Sequence, residues 1–543
     1  MPRRSDAPNA MIVSAQPEAS EAGARVLMRG GNAIDAAMTA ALVQGVVDPQ
    51  MTGIAGFGNC QIFMPRRGVH TCIDFHGKTP LAATPDMWAS RLIAETRDGF
   101  GFILEEHVND LGYQAITTPG SLLAYHEAVA EFGTFDWSDV CQPAIGYAED
   151  GFIVRPAVNR WWTSGASLGR VAVTERLAHT PAGRALYFHD DGTLLQVGER
   201  LVNKDLARTL RRIAAEGAQS FYSGTIAEEI VADMRANGGL LSAEDLAGYQ
   251  TTRTDPLRGA YRELQIATNQ PPGGGIMLIE MLNILGHFDL SGLGHNCAEY
   301  LRIVAEAMKA ATADKEAFVG DPGFVDVPIE RLTGAPLAAD YTARIRAGDK
   351  LNVERFNAGE PPDTTHVAVI DADGNCVTMT HSLGMPSGVV TEGLGFMYNG
   401  CMGVFDPRPG RAGSIAPGKS RFSSLCPTIV FEGDKPRIVV GAPGGTQIAM
   451  GVLQTILNVV DFDMSIVEAV SAPRFSATSN FIDITNRIPE YVVQPLRDLG
   501  YSIVRNPASF EFGRVHGIVD GQRGLEGGAD PGSDGVALGV HVN

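Results

Sequence analysis

The chain has 543 residues, 44% of them hydrophobic, and a formal net charge of −19 at pH 7. A chain of this length can bury a large core, while its acidic balance, without a basic stripe, disfavours nucleic acid as a partner. No apolar h-region follows the charged N-terminus and no apolar run is long enough to cross a bilayer, so we predict neither a signal peptide nor a membrane partner.

Helical and strand patterns alternate along the first two thirds of the chain. Small apolar residues from 18 to 46 predict one long helix, and a glycine-rich connection then leads into strands at 60–64 and 70–75. The stretch from about 345 to 363 is polar and rich in turn residues, so we expect it to be exposed. Helical periodicity recurs in five segments between these regions, at 121–132, 204–216, 225–237, 275–287 and 297–319.

A threonine pair follows the polar stretch. Thr364 lies in Pro361-Pro-Asp-Thr-Thr-His366, just ahead of an alternating strand at 367–370. A threonine hydroxyl is a weak nucleophile without a nearby base, and a threonine that cleavage turns into an N-terminus can use its own α-amine as that base. We therefore predict that the chain cuts itself between Asp363 and Thr364, although the motif alone also fits an ordinary strand start.

Glycine and hydroxyl pairs occur in the segments that follow. Arg421-Phe-Ser-Ser-Leu-Cys-Pro427 places a serine pair ahead of a β run. Gly441-Ala-Pro-Gly-Gly-Thr446 precedes an apolar helix at 448–459, and paired glycines at such a turn can present backbone N–H groups to an oxyanion. The acidic turn at 371–375 lacks the distal Glu of a calcium loop, so a hairpin is favoured over a metal site.

With these motifs in their order, the chain resembles the γ-glutamyltranspeptidase family of N-terminal-nucleophile hydrolases over nearly its whole length. The resemblance implies an α+β fold, a four-layer αββα sandwich in which a large segment, 1–363, and a small segment, 364–543, interleave as one domain. The motifs that carry it are Arg29–Asp35, Thr118–Gly120, Asp150–Val154, Asn237–Leu246, Pro271–Gly275, Thr364–His366, Ser423–Ser424, Pro443–Gly445 and Ala472–Phe475.

The resemblance also implies a role for each matching residue. Thr364 would attack an amide carbonyl and form an acyl ester, with its own α-amine as general base, so no metal or organic cofactor is expected. The other matching positions are Ser382, where the family usually has a second threonine that orients the nucleophile, Gly444 and Gly445 at the oxyanion, and Ser423 and Ser424 in contact with the substrate.

Four positions depart from the family pattern. His76 stands where the family has the arginine that clamps the glutamyl α-carboxylate, and Gly384 replaces an asparagine. Cys401 and Val404 align with the Gln and Asp that hold the α-amino group. A site that loses its hydrogen-bonding groups loses the preference for the substrate that needs them, so we predict an acyl group other than γ-glutamyl.

The predicted function is a self-processing amidohydrolase with water as acceptor, similar to oxamate amidohydrolase or cephalosporin acylase. One alternative is a genuine γ-glutamyl hydrolase or transpeptidase, favoured if Lys78 or an arginine elsewhere replaces the charge lost at position 76. Another is a processed but inactive binding protein. The expected partners are a small-molecule amide and the two fragments as a heterodimer, with a dimer of heterodimers left open. Seven scattered cysteines without a CxxC pair favour a cytoplasmic protein.

Overall fold

The computed structural model describes residues 7–96, 99–166, 169–355 and 365–542. The predicted cleavage bond, between Asp363 and Thr364, therefore lies outside the described residues. Within the described ranges, no helix is both long and apolar enough to cross a bilayer.

Strands occur on both sides of the segment 356–364. In chain order they are β1 (Ala10–Ser14), β2 (Phe57–Met64), β3 (Val69–Phe75), β4 (Leu92–Glu95), β5 (Phe102–Leu104), β6 (Phe152–Ile153), β7 (Arg200–Leu201), β8 (Thr252–Thr254), β9 (Leu257–Tyr261), β10 (Leu264–Thr268), β11 (Thr365–Ile370), β12 (Cys376–Ser382), β13 (Pro386–Val390), β14 (Met397–Asn399), β15 (Thr428–Glu432), β16 (Lys435–Gly441), β17 (Phe475–Ser476), β18 (Phe481–Ile484), β19 (Ser502–Arg505), β20 (His516–Gly521), β21 (Gly524–Ala529) and β22 (Val536–Val540).

Most helices precede that segment. In chain order they are α1 (Pro17–Met28), α2 (Ala33–Val47), α3 (Ser121–Phe132), α4 (Trp137–Asp150), α5 (Pro156–Trp162), α6 (Val173–Leu177), α7 (Pro181–Tyr187), α8 (Lys204–Glu216), α9 (Gln219–Tyr222), α10 (Thr225–Ala236), α11 (Ala243–Ala247), α12 (Gly275–Leu285), α13 (Leu290–Leu293), α14 (Ala298–Phe318), α15 (Ile329–Leu332), α16 (Ala335–Ala347), α17 (Ile448–Val460), α18 (Ile466–Ser471) and α19 (Glu490–Asp498).

Two large antiparallel sheets organise the fold, and each combines strands from both sides of the segment 356–364. One sheet has the order β22-β1-β11-β12-β2-β3-β8, and the other has the order β21-β20-β16-β15-β10-β9. In the first sheet β11 lies between β1 and β12, with Thr365 opposite His381. The two parts of the chain are therefore joined by backbone hydrogen bonds in both sheets.

The side chains of β11 and β12 alternate between two hydrophobic clusters. Val367, Val369 and Met379 pack with α1 to α4, whereas Ala368 and Cys376 pack against residues of β10, β15, β16 and β20. Successive strand residues point to opposite faces, so one face of this sheet meets helices and the other meets the second sheet. Helices α12, α14 and α17 cover apolar residues of the second sheet.

Most predicted elements are confirmed, and one is wrong. The helices predicted at 121–132, 204–216, 225–237, 275–287 and 297–319 match α3, α8, α10, α12 and α14. The single helix predicted at 18–46 is two helices, because Gly30 adopts a left-handed φ of +89° after α1. Asn32 then caps α2, accepting hydrogen bonds from the N–H groups of Ile34 (2.9 Å) and Asp35 (3.1 Å).

Candidate active site

A cavity of about 570 Å³ lies at one end of the two sheets. It brings together five of the residues singled out in the sequence, which are Gly384, Val404, Ser423, Ser424 and Gly445. These residues come from the turn after β12, the connection between β14 and β15, and the turn that leads from β16 to α17. Residues far apart in the sequence thus meet at one site because both sheets end there.

The start of β11 is fixed by buried polar contacts. Thr365 is 1% exposed, and its Oγ1 lies 3.1 Å from Gln16 Nε2 and 3.2 Å from Gln44 Nε2. Gln16 directly precedes α1 and Gln44 belongs to α2, so both helices hold this end of the strand. Thr365 is the residue that follows Thr364, whose own position lies outside the described residues.

Ser382 connects the end of β12 to the cavity. It is the residue after His381, the partner of Thr365 across the sheet, and it pairs with Phe57 on the other side. Its fully buried Oγ accepts a hydrogen bond from the Gly384 N–H at 2.8 Å. The predicted orienting hydroxyl therefore also fixes the turn that lines the cavity.

Gly444 and Gly445 form the turn between β16 and α17. Both have positive φ values, +139° and +57°, and neither N–H donates a hydrogen bond to another described residue. A Cβ added at Gly444 would lie 2.8 Å from the Gly513 Cα. Only glycine fits this close approach, and the turn leaves two N–H groups near the N-terminus of a helix, which favours negative charge.

His76 is buried behind Ser423. Its Nδ1 lies 2.8 Å from Asp74 Oδ2 and its Nε2 lies 2.5 Å from Ser423 Oγ. If Asp74 accepts from Nδ1–H, then Nε2 accepts from the serine hydroxyl, which is the order of an Asp–His–Ser hydrogen-bonded chain. His76 does not line the cavity itself and contacts it through Ser423.

Cys401 and Arg421 lie beside Gly384. The Cys401 thiol is fully buried, and its Sγ lies 3.6 Å from the Leu383 carbonyl oxygen and 3.7 Å from Arg421 Nη1. The Arg421 guanidinium carbon is 4.8 Å from the ring centre of Phe57 and lines the cavity. This arginine is not among the residues predicted from the sequence, where its only signal is its place two residues before the serine pair.

The other basic side chains that line the cavity have carboxylate partners. Arg355 pairs with Glu95 (3.1 Å) and Glu316 (2.7 Å), Lys315 with Glu316, Arg408 with Asp406 (2.7 Å), and Arg411 with Asp406 (3.6 Å). Lys78, the candidate for replacing the charge at position 76, does not line the cavity, and its Nζ donates to the Gln250 carbonyl at 3.3 Å.

The described residues contain no group of three or more His, Cys, Asp and Glu side chains that could hold a metal ion. At the turn 371–375 the Asp371 carboxylate accepts from the N–H of Asp373 (3.0 Å) and of Asn375 (2.9 Å). It also accepts from the Ala33 N–H at 2.9 Å. The turn joins β11 to β12 as the predicted hairpin, and its carboxylate oxygens are used by protein donors.

The Gamma-glutamyltranspeptidase family model matches residues 19–540. The chain belongs to the γ-glutamyltranspeptidase family. The predicted family membership is confirmed, and with it the prediction of an amide-bond hydrolase.

Relatives within the γ-glutamyltranspeptidase family carry two kinds of name. The chain is 39% identical to the Acylase ACY 1 proenzyme of Pseudomonas sp. (strain V22), over 92% of this chain and 88% of that protein. It is 34% identical to the Glutathione hydrolase proenzyme of Escherichia coli (strain K12), over 86% and 80%. The structure matches cephalosporin acylase from Bacillus halodurans with a TM-score of 0.87 and 28% identity, covering 98% of this chain and 96% of that chain.

Proposed function

We propose that this family member is a self-processing amide hydrolase whose nucleophile is Thr364 and whose acyl group is not γ-glutamyl. The observation that carries the proposal is the cavity, on which the turn after Ser382, the serine pair and the Gly444–Gly445 turn converge. Thr365, the residue next to the proposed nucleophile, pairs with the residue before Ser382. This pairing, together with the cavity, supports Thr364 as the nucleophile.

The proposed reaction uses groups of the chain alone. The α-amine of Thr364 takes the proton of its Oγ, which attacks the amide carbonyl, and the N–H groups of Gly444 and Gly445 stabilise the oxyanion. The amine of the substrate's broken amide bond then leaves with that proton, and an acyl ester remains on the Thr364 Oγ. Water hydrolyses the ester and restores the hydroxyl, with the α-amine again as base.

The proposed specificity rests on the four positions that depart from the family pattern. His76 is engaged by Asp74 and Ser423, and Gly384 and Val404 offer no polar side chain to a glutamyl head group. The relatives named acylase and the structural match to a cephalosporin acylase support this side of the family. The relatives named glutathione hydrolase keep the γ-glutamyl alternative open to the test below.

We extend the proposal to the subunits. Segments 1–363 and 364–543 would remain one four-layer αββα domain after cleavage, forming a heterodimer, because strands of both segments pair within both sheets. The packing of α1 to α4 on one sheet and of α12 and α17 on the other supports the four layers.

Processing provides the first test. The purified protein should run on a denaturing gel as two chains of about 39 and 19 kDa, in proportion to 363 and 180 of the 543 residues and the total of 57.7 kDa. Sequencing of the smaller chain should begin at Thr364. A single active chain would contradict the proposal, and efficient turnover of a γ-glutamyl anilide beside a panel of simple amides would contradict the specificity.

The Asp74–His76–Ser423 chain favours a second candidate, in which Ser423 is the nucleophile. Its Oγ would attack the carbonyl while its proton passes to His76 Nε2, and the leaving amine would take that proton as the acyl ester forms on the serine. The cavity gives substrate access to Ser423 in either mechanism. The two candidates differ in which residue carries the acyl group.

A fluorophosphonate label separates these nucleophiles. We expect peptide mapping of the labelled enzyme to place the adduct on the small fragment's N-terminal threonine, with Ser423→Ala still cleaved into two chains and still labelled. Its kcat/KM should fall by about 10- to 100-fold, since one substrate hydrogen bond is lost. An adduct on Ser423, absent from Ser423→Ala, would favour the serine mechanism instead.

A further inference from the structure

Arg421 is a buried guanidinium without a carboxylate partner. The residue is 6% exposed and its Nε donates to the Phe422 carbonyl at 3.0 Å. Nη1 faces the Cys401 thiol at 3.7 Å, and Nη2 donates to no described group. In the described part of the chain no Asp or Glu lies within ion-pair distance of it, in contrast to the four paired basic residues of the same cavity.

This arrangement is costly for the protein by itself. A buried charge without a counter-charge loses its hydration and recovers little of it, and a neutral thiol is a weak acceptor. Stacking on Phe57, and on Phe100 at 5.8 Å, compensates only part of that loss. Consistent with this, burial lowers the pKa of Arg421, and the effect of the Cys401 thiol does not offset it. A bound anion would supply the counter-charge that the described residues do not give Arg421.

Two of the four positions that depart from the family pattern, Gly384 and Cys401, lie next to Arg421. A Cβ on Gly384 would lie 3.2 Å from Arg421 Nη1 and 3.1 Å from Cys401 Sγ, so a side chain there would compete with the guanidinium for space. Val404 lines the same cavity. Where the family pattern has polar groups for an α-amine, this site instead presents a cation, and the preferred charge of the ligand is inverted.

We infer that Arg421 binds a carboxylate at the far end of the acyl group, and that the substrates are monoamides of dicarboxylic acids without an α-amine. The claim that an amide bond is cut rests on the proposed function. The claim that an anion binds here rests on Arg421 alone. Arginine suits this role because its planar fork matches a carboxylate. An α-amine on the same carbon would lie near the Arg421 guanidinium, whose like charge disfavours it. The Glu95, Glu316 and Asp406 carboxylates that line the cavity are paired with other basic residues.

Binding can be tested without turnover. We expect glutarate to raise the melting temperature of the wild-type enzyme at constant ionic strength, while valeramide, which lacks the anionic end, does not. Arg421→Met should abolish the shift and should itself melt no lower than the wild type, because an unpaired buried charge has been removed. Arg421→Lys keeps the charge without the fork and should retain a smaller shift, which covers the case in which the methionine variant fails to fold.

Turnover tests the substrate class with matched anilides. For p-nitroanilides of dicarboxylic acids of two to five carbons, the best member should exceed its neutral acyl counterpart in kcat/KM by at least about 100-fold. The glutaryl anilide should exceed the γ-glutamyl anilide, which differs only by the α-amine. Arg421→Met should remove the first preference, so that the dicarboxylic anilide and its neutral counterpart have similar kcat/KM. Lys78→Met, which removes a cation outside the cavity, should behave as the wild type.

Three outcomes decide between the claims. Equal kcat/KM of wild type and Arg421→Met for the dicarboxylic amides, or an equal glutarate shift in both, would overturn the assignment of Arg421. Preference for the γ-glutamyl anilide would overturn the substrate class. If no amide is hydrolysed but glutarate stabilises the wild type and not Arg421→Met, the proposed function fails and the carboxylate site is supported.

Discussion

Replacing Thr364 by alanine should leave one uncut chain of 57.7 kDa without amidase activity. The proposed cleavage and the proposed turnover both need the Oγ of this residue, so a single change removes both. Loss of a nucleophile that acts with its base as a unit costs about 10⁴- to 10⁶-fold in kcat. Denaturing electrophoresis measures the first effect and an anilide assay the second.

Thr365→Val is the matched control for that variant. Valine has nearly the shape of threonine, and the change removes only the Oγ1 that contacts Gln16 and Gln44. The Thr365 hydroxyl is buried and held by the two glutamines, so it is not expected to act as the nucleophile. The variant should therefore still be cut into the same two fragments. A Thr364→Ala protein that is still processed and active would show that another residue, with Ser423 the first to test, supplies the nucleophile.

The sequence was sufficient for the parts of the site that are local motifs. The serine pair and the Gly444–Gly445 turn were predicted from short patterns, whereas Ser382 was identified only through the family resemblance; the structure places their turns around one cavity. Such patterns can be recognised in a sequence because a turn with positive φ needs glycine, and because the start of a strand is marked by only a few consecutive residues. Their chemical roles stay predictions, since no contact of Thr364 is described.

Arg421 illustrates what the sequence did not reveal. An arginine in a loop is usually solvated, and nothing in its neighbours along the chain says that it is buried. Its unpaired state depends on where Glu95, Glu316 and Asp406 lie, and all three are taken by other basic residues. The positions of these carboxylates relative to Arg421 are set by the tertiary structure and cannot be predicted from the local sequence. The same holds for the His76 imidazole, whose two contacts come from Asp74, two residues away, and from Ser423, far along the chain.

The split of the predicted 18–46 helix has a related cause. Apolar residues recur on both sides of residues 29–32, but Arg29-Gly-Gly-Asn32 itself is not apolar, and the backbone there is set by Gly30 and by the Asn32 cap. Local turn chemistry outweighed periodicity. The break between the helices also affects the site. Gln16 before α1 and Gln44 in α2 both contact Thr365, which requires the two helices to fold back on each other.

Gly444→Ala should lower kcat by about 10²- to 10³-fold, the usual loss when one oxyanion donor is displaced. A Cβ at this position would lie 2.8 Å from the Gly513 Cα and 3.0 Å from its N, so backbone must move. The φ of +139° is also one that alanine rarely adopts. The N–H groups of the turn would shift, and self-cleavage, which passes through the same kind of oxyanion, should slow as well.

Gly433→Ala separates this effect from general backbone strain. Gly433 has a φ of +60°, and an added Cβ there would meet nothing within 4 Å. The control should lose about 1 kcal/mol of stability from the left-handed backbone and keep its kcat. Single-turnover acylation rates and melting temperatures of both variants decide the matter, because a displaced oxyanion turn slows acylation beyond any loss of folded protein. Equal acylation rates in Gly444→Ala and the wild type would remove this turn from the mechanism and direct the search for oxyanion donors to the backbone around Ser424, which also lines the cavity.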